Sequence, residues 1–516
     1  MIVSRHAPEK QVDLFALVPK LVLDFEPVLR ELDRLLDDDA IVQQIAADMA
    51  TRAPRSRDRG RRSTPVEVVL RLLVVRRLYD WSYAQTEHFV GDSLVLRQFC
   101  RLSLEPVPDD TTLIRWARCI GPQTLERLHE RVVALARQAK VTRGRKLRVD
   151  GTVVETTIHY PTDSSLLADG VRVVSRLLRR AKALVGAAVG RVGRAGRVGA
   201  TSASLFRDRT RSAKRLAHQI QDTVRHRGVA AAPAKVARQG TYRRLVQVAQ
   251  QSLHQAQQVQ AILIRQVQTR VRPVRTGRAA HRTAQVARLG AALARVMPLV
   301  AQVIAQTQRR VLHGEAVPAP EKLVSLFEPH TRIIRRGKVH LPAEFGHKVW
   351  VDEVDGGIVS RYAVLDLDAL DDGTDAPAGA PGSSSEAQQV PLSVAHHQRL
   401  FGHAPTLLAG DRGVYSAEGE RVARAAGVRH VALPQPGAKS VTRRCYERQR
   451  WFRKAHRFRA GVEGRISVLK RRGSLGRCRD HGERGFACWI GWGILTANLS
   501  TIARTTAQRA TEGTHA

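Results

Sequence analysis

Period-2 alternation of apolar and polar residues, the mark of a strand, occurs only in short islands of this 516-residue chain. The first island stands far from the others. Lys146, Leu147, Arg148 and Val149 alternate into Asp150, and the pattern returns only where Val349 and Val351 alternate with Trp350 and Asp352. Gly356-Gly357 then reads as a hairpin turn into a second strand. "PTLLAGD" and "VRHVALP" read as further strands, separated by helical segments such as "AEGERVARAAG". A sheet built from these pieces is a mixed α/β layer whose first strand is cut off in sequence from its neighbours.

The stretches between are helical. Residues 1–140 carry apolar residues three and four apart in "PKLVLDFEPVLRELDRLL" and "PVEVVLRLLVVRRLYDW". In "EPVPDDTTLIRWARCIG", Pro108 breaks the chain, Asp109-Asp110-Thr111 offers N-cap chemistry, and Gly121 stops the helix. With "SYAQTEHFV" before it, this segment suggests a helix-turn-helix presenting Arg115, Trp116 and Arg118 to DNA. An ordinary helical bundle with a solvated basic face fits the same pattern. From 163 to 335 the helical spacing continues through Leu167, Val171, Val174 and Leu178, and again from Leu253 to Val267. The Gly-Arg-Ala-rich "VGAAVGRVGRAGRVGATSAS" lies between them. This stretch reads as a basic helical insertion, facing DNA or mediating dimerisation.

Charge narrows the partners. Lys and Arg number 85 against 47 Asp and Glu, a formal net charge of +38, and such a surplus calls for a polyanion, of which nucleic acid is the usual one. A hydrophobic content of 43% suits a folded machine rather than a basic tail. The five cysteines (Cys100, Cys119, Cys445, Cys478, Cys488) form no C-x-x-C pair, which argues against structural zinc or a disulfide framework and for a reducing cytosol. The opening "MIVSRHAPEKQVDLF" lacks the apolar core of a signal peptide, and "GFACWIGWGILTANL" is short for a span, so no membrane segment is expected. In that last stretch Trp489, Trp492 and Leu495 are expected to close the core.

Three acids stand out against the basic background. Asp150 ends an alternating strand and Asp411 an apolar one, and ligands of open α/β sheets bind where strands end. Two carboxylates so placed suit Mg²⁺, which takes oxygen ligands. Gly-Asp-Arg-Gly at 410–413 is also a plausible simple turn. Glu463 lies in a very basic helix, four residues after Arg459 and seven before Lys470, so the three share a face. Glu155, Asp352, Glu353 and Asp355 compete for the same role.

With these residues in place, the chain resembles bacterial insertion-sequence transposases of the DDE type. The tail signature of one large group, Tyr-x2-Arg-x3-Glu-x6-Lys, is met by His456, Arg459, Glu463 and Lys470, with His in the Tyr position. "VDGTVVETTIHYPTDSSLLADGVR", "LLAGDRGVYS" and "WGILTANLSTIAR" resemble segments of the loosely grouped ISNCY-type members. The resemblance implies a ribonuclease-H-like catalytic domain with a mixed five-stranded sheet, an all-α N-terminal domain (1–140) and a helical insertion (163–335) after the first strand (141–162). The rest of the catalytic domain would occupy 336–505, with a flexible tail at 506–516. It further implies that Asp150, Asp411 and Glu463 hold two Mg²⁺ ions, with Mn²⁺ as a substitute, for strand cleavage and transfer at terminal inverted repeats. His456, Arg459 and Lys470 would contact double-stranded DNA, in a cytoplasmic homodimer or higher oligomer. The alternatives are a non-catalytic, domesticated DNA-bridging protein, or a nuclease of the same fold.

Overall fold

The computed structural model describes residues 2–5, 25–51, 63–192, 207–225, 231–268, 278–335, 343–365 and 386–514. Residues 193–204 of the Gly-Arg-Ala-rich stretch lie outside them, as does most of the Ser-Gly-Pro-rich loop before Glu386. The chain divides into two compact units, one of Met1–Thr157 with Arg336–Ala516, the other of Ile158–Arg335.

In the first unit, helices α1 (Pro27–Leu36), α2 (Asp39–Thr51), α3 (Val66–Leu78), α4 (Tyr83–Asp92), α5 (Leu94–Phe99), α6 (Asp110–Ala117) and α7 (Pro122–Gln138) lead into the first strand. Helix α3 is buried on every side, so its charges need internal partners. Arg71 bonds Asp33 and Asp37 at 2.6 Å each. Arg77 stacks 3.9 Å from the Trp489 ring and donates to the carbonyls of Gly473 and Trp489. Burial lowers the Arg77 pKa to about 9. These contacts tie the N-terminal helices to the C-terminal helix within one core, so residues 1–140 do not form the separate domain expected of them.

Among the described residues, the strands of this unit are β1 (Lys146–Glu155), β2 (Glu344–Val354), β3 (Ile358–Val364), β4 (Leu407–Ala409) and β5 (His430–Ala432). Their spatial order is β3-β2-β1-β4-β5. β2 runs antiparallel to both β1 and β3, whereas β4 and β5 run parallel to β1. Gly356 and Gly357 turn the β2–β3 hairpin with φ of 81° and 72°, a left-handed conformation that only glycine takes without strain. Helices α12 (Gln389–Phe401) and α13 (Ala417–Ala425) flank β4, and α14 (Val441–Arg448) and α15 (Arg450–Arg472) follow β5. Phe452 and Ala455 of α15 pack with Ala409 and Ala432 at the ends of β4 and β5.

The last helix, α16 (Gly482–Thr514), buries Trp489, Trp492 and Leu495. It also runs through residues 506–514, where a flexible tail was expected. Ala507 is 7% exposed, and the Thr505, Thr506 and Thr511 hydroxyls bond back to carbonyls one turn earlier. Two described helices, His281–Leu312 and Gly482–Glu512, are long and apolar enough to cross a membrane; the apolar window of the second is 78% buried inside the protein, as in a core helix.

The second unit is a bundle of α8 (Asp163–Val192), α9 (Thr210–Arg225), α10 (Ala231–Gln268) and α11 (Arg278–Thr307). Its own core includes Leu167, Val171, Val174 and Leu178 from α8, with Leu245, Leu263, Leu293 and Val300 from the facing helices. The apolar stripe read from the sequence is therefore the bundle's interior face.

Candidate active site

The parallel ladder between β1 and β4 covers only Lys146–Arg148 opposite Leu407–Ala409. Asp150 and Asp411 each stand two residues beyond its last pair, Arg148 and Ala409. Equal offset from paired residues brings the two acids to one level at the carboxyl end of the parallel strands. Asp150 does not end its strand, contrary to the alternation pattern. The strand continues to Glu155 along β2, with Asp150 opposite Val351, and what stops at Arg148 is the pairing with β4.

Local bonds fix both carboxylates. The Gly151 N–H donates to Asp150 Oδ1 at 2.8 Å, and the Val414 N–H donates to Asp411 Oδ1 at 3.0 Å. Their other oxygens face α15. Phe452, Ala455, Val462 and Leu469 form the buried stripe of that helix, and Arg459 falls on the same stripe between Ala455 and Val462. Its side chain, 14% exposed, reaches all three acids: Nη2 lies 3.0 Å from Asp150 Oδ2 and 3.8 Å from Asp411 Oδ2, and Nη1 lies 2.8 Å from Glu463 Oε1. Glu463 is 65% exposed and touches the cluster through this guanidinium.

The remaining acids weighed from sequence are committed elsewhere. Asp352 accepts from Trp350 Nε1 at 2.6 Å and Ser393 Oγ at 2.8 Å, and burial raises its pKa. Glu353, 1% exposed, is bonded by Arg148 at 2.7 Å and Arg465 at 3.3 Å. Burial opposes charge on Asp355, but the backbone N–H groups of Arg143, Lys146 and Arg145 outweigh it and hold the carboxyl below its usual range. Glu155 pairs with Arg477 at 2.8 Å.

One acid escaped sequence reading. Glu386 opens the turn before α12, and its Oε1 is 3.3 Å from Lys348 Nζ on β2. A Cβ added to Gly151 would lie 2.9 Å from Glu386 Oε1, and one added to Gly413 would lie 3.7 Å from its Oε2. No local pattern marks this residue, because a lone acid after a Ser-rich loop has no periodicity.

Burial raises the Asp150 pKa to about 6, Arg459 works against that rise, and Asp411 and Glu386 add to it. The fold therefore favours neutral Asp150. That contribution to stability is complete at acid pH, below the ordinary carboxylate range, and is lost as pH rises through about 6. Asp150→Asn is expected to stabilise the metal-free protein by about 1–3 kcal/mol at pH 8 and to change little at pH 4. Melting curves at the two pH values check this; equal shifts at both would remove the charge from the explanation.

An all-oxygen donor set of this kind suits a hard divalent cation. Among the described residues, however, no group of three His, Cys, Asp or Glu side chains is arranged to hold a metal ion. Asp150, Asp411 and Glu463 are spread around the Arg459 guanidinium, which is itself the counter-cation they share. The donors fit the ion in kind, and Arg459 must withdraw for them to close on it.

The residues expected to touch DNA are distributed unevenly. His456 is exposed and Lys470 half-buried on α15. Arg115 and Arg118 are exposed at the end of α6, whereas Trp116 packs against the core. Asp109 caps α6 by accepting from the Thr112 N–H at 2.9 Å, and its hydrogen bonds lower its pKa to about 2. The connection from α4 to α6 holds a helix of its own, Leu94–Phe99, so these elements lack the tight turn of a helix-turn-helix. Ser93 caps that helix by accepting from the Leu96 N–H at 3.2 Å.

Residues 20–119 match the family described as Transposase domain (DUF772). The match covers the helices up to α6 and supports a transposase assignment. No curated protein and no solved structure matches the chain.

Proposed function

We propose that the protein is a DDE-type DNA transposase with a ribonuclease-H-like catalytic core, acting in the cytoplasm on the ends of its own element. One observation carries the reading: Asp150, Asp411 and Glu463, separated by 261 and 52 residues along the chain, converge on one guanidinium. The strand order, with an antiparallel β2 between two of its neighbours and parallel β4 and β5, supports the core assignment. The transposase-domain match at residues 20–119 supports the activity.

Asp150, Asp411 and Glu463 would hold two Mg²⁺ ions, or Mn²⁺ in their place. When bound, the ions supply activation of water or a 3′-hydroxyl and stabilisation of the leaving oxygen. The chain's own residues do the rest. Arg459 leaves the carboxylates for a phosphate oxygen, a partner that its planar fork fits as well as it fits a carboxylate. Lys470 and His456 extend the same helix toward the DNA backbone. Arg148 and Arg465 enclose Glu353 and thereby fix α15 against the sheet, with Arg148 Nη1 also donating to the Phe458 carbonyl at 2.8 Å. Action on two DNA ends calls for at least a homodimer.

The test is incubation of the full chain with Mg²⁺ and labelled duplex carrying the inverted repeats that flank its coding sequence. Cleavage followed by joining to a second duplex is the expected result. Cleavage without joining would make the protein a nuclease, and retention without either would make it a DNA-bridging protein.

A further inference from the structure

We propose that the cleft between α9 and α10 binds the phosphate backbone of duplex DNA without reading its sequence. The inference rests on the proposed function for the identity of the polyanion, and goes beyond it by giving the helical unit a task of its own.

Positive charge gathers in this unit. Residues 158–335 hold 32 Lys and Arg against seven Asp and Glu, +25 of the chain's +38. From 223 to 314 there are 16 Lys and Arg and no acid at all. Six of the seven acids pair with basic side chains that do not line the cleft, such as Asp163 with Arg310 at 3.0 Å and Asp208 with Arg179 at 3.8 Å. The seventh, Asp222, lies three residues past Gln219 on α9.

The cleft holds about 520 Å³ and is built by helical spacing. Steps of three and four set Ser212, Arg215 and Gln219 along α9, and the same steps set Arg244, Gln247 and Gln251 along α10. Leu216 and Val248 floor it beside the buried core. The arginines and glutamines that line it are all exposed. Among the described residues, no carboxylate pairs with Arg215 or Arg244. Nearby, Arg209 donates to Gln251 Oε1 at 3.0 Å and to Gln255 Oε1 at 2.6 Å. With its oxygen taken, the Gln251 amide has N–H donors left to offer, which suit an anion. Burial and the neighbouring Arg207 lower the Arg209 pKa, so added negative charge would relieve it.

Two guanidiniums, amide donors and a hydroxyl match phosphate oxygens. Arg211, Lys214 and Arg243, exposed next to these residues on the same helices, carry the charge onward, which calls for a polymer rather than a small phosphate. No aromatic side chain lines the cleft, so the bases of a single strand would have nothing to stack on. A second copy of the same surface would be repelled by its like charge.

The full chain in EDTA, titrated with a fluorescent duplex of scrambled sequence, reads the proposal apart from any metal chemistry. Arg215→Ala combined with Arg244→Ala is expected to weaken binding about tenfold at physiological salt, with an unchanged melting temperature. Gln247→Glu, which sets a negative charge in the cleft, should act in the same direction. Bound duplex should also protect Arg215 and Arg244 from phenylglyoxal, read by mass spectrometry of the modified peptides. Full affinity in the double variant, or equal modification with and without DNA, would overturn the inference while leaving the proposed function to the α15 face. Failure of the unaltered protein to bind any duplex would overturn both.

Discussion

Asp411→Asn is expected to reduce DNA strand cleavage by on the order of a thousandfold or more, while DNA retention stays within about twofold. The asymmetry follows from what each oxygen of Asp411 does. Oδ1 accepts from the Val414 N–H and shapes the turn after β4, a bond that an asparagine carbonyl keeps. The second oxygen lies 3.8 Å from Arg459, and it is there that asparagine replaces a charge with a neutral donor. A simple turn role for Gly410-Asp411-Arg412-Gly413 predicts no loss of cleavage, since the turn survives the substitution. Rates on labelled duplex, measured beside gel retention of the same DNA, separate the two. Full cleavage by the variant would leave the acid triad without its second member.

Much of the site was legible because its acids contrast with their surroundings. Asp150 follows an alternating strand pattern, Asp411 an apolar run, and Glu463 interrupts a helix of arginines and lysines. The place of Asp150 within its strand was not legible. Beyond it Thr152, Val153 and Val154 are buried in succession, so both faces are covered there and the alternation that marks a half-exposed strand disappears. Glu353 shows the opposite difficulty. Its position on a strand made it a candidate ligand, but only tertiary structure reveals Arg148, 205 residues away, and Arg465 closing over it. The double role of Arg459 has the same origin. Its spacing to Glu463 is local and readable, whereas its bond to Asp150 spans 309 residues. The C-terminal helix misled for a simpler reason. Its last turns are rich in Thr and Ala, a composition that suits a solvated tail, yet Ala507 is buried and the helix continues past it.

Binding of element-end DNA is expected to weaken by about a thousandfold between 50 and 200 mM salt. The argument starts from α14 and α15, whose outward residues include Arg444, Arg448, Arg450, Arg453, Lys454 and Arg457, all exposed. The inward residues of α15 are apolar or, like Arg459, already engaged with the acids, so the helix separates its charge by face. Six phosphates neutralised by such a face release their condensed counterions, giving a slope of about −5 in log affinity against log salt, which over a fourfold change in salt amounts to about a thousandfold. Each cation replaced by alanine on that face should lower the slope by about one, on specific and scrambled duplex alike, because phosphate contacts carry no sequence. Fluorescence anisotropy across the salt range measures the slope directly. A response that stays flat would mean that this face does not meet phosphate, and the positive surplus of the chain would then need a different polyanion to balance it. A slope that survives removal of the α15 cations would instead move the contact to another basic surface, while leaving the acid cluster and its chemistry where they are.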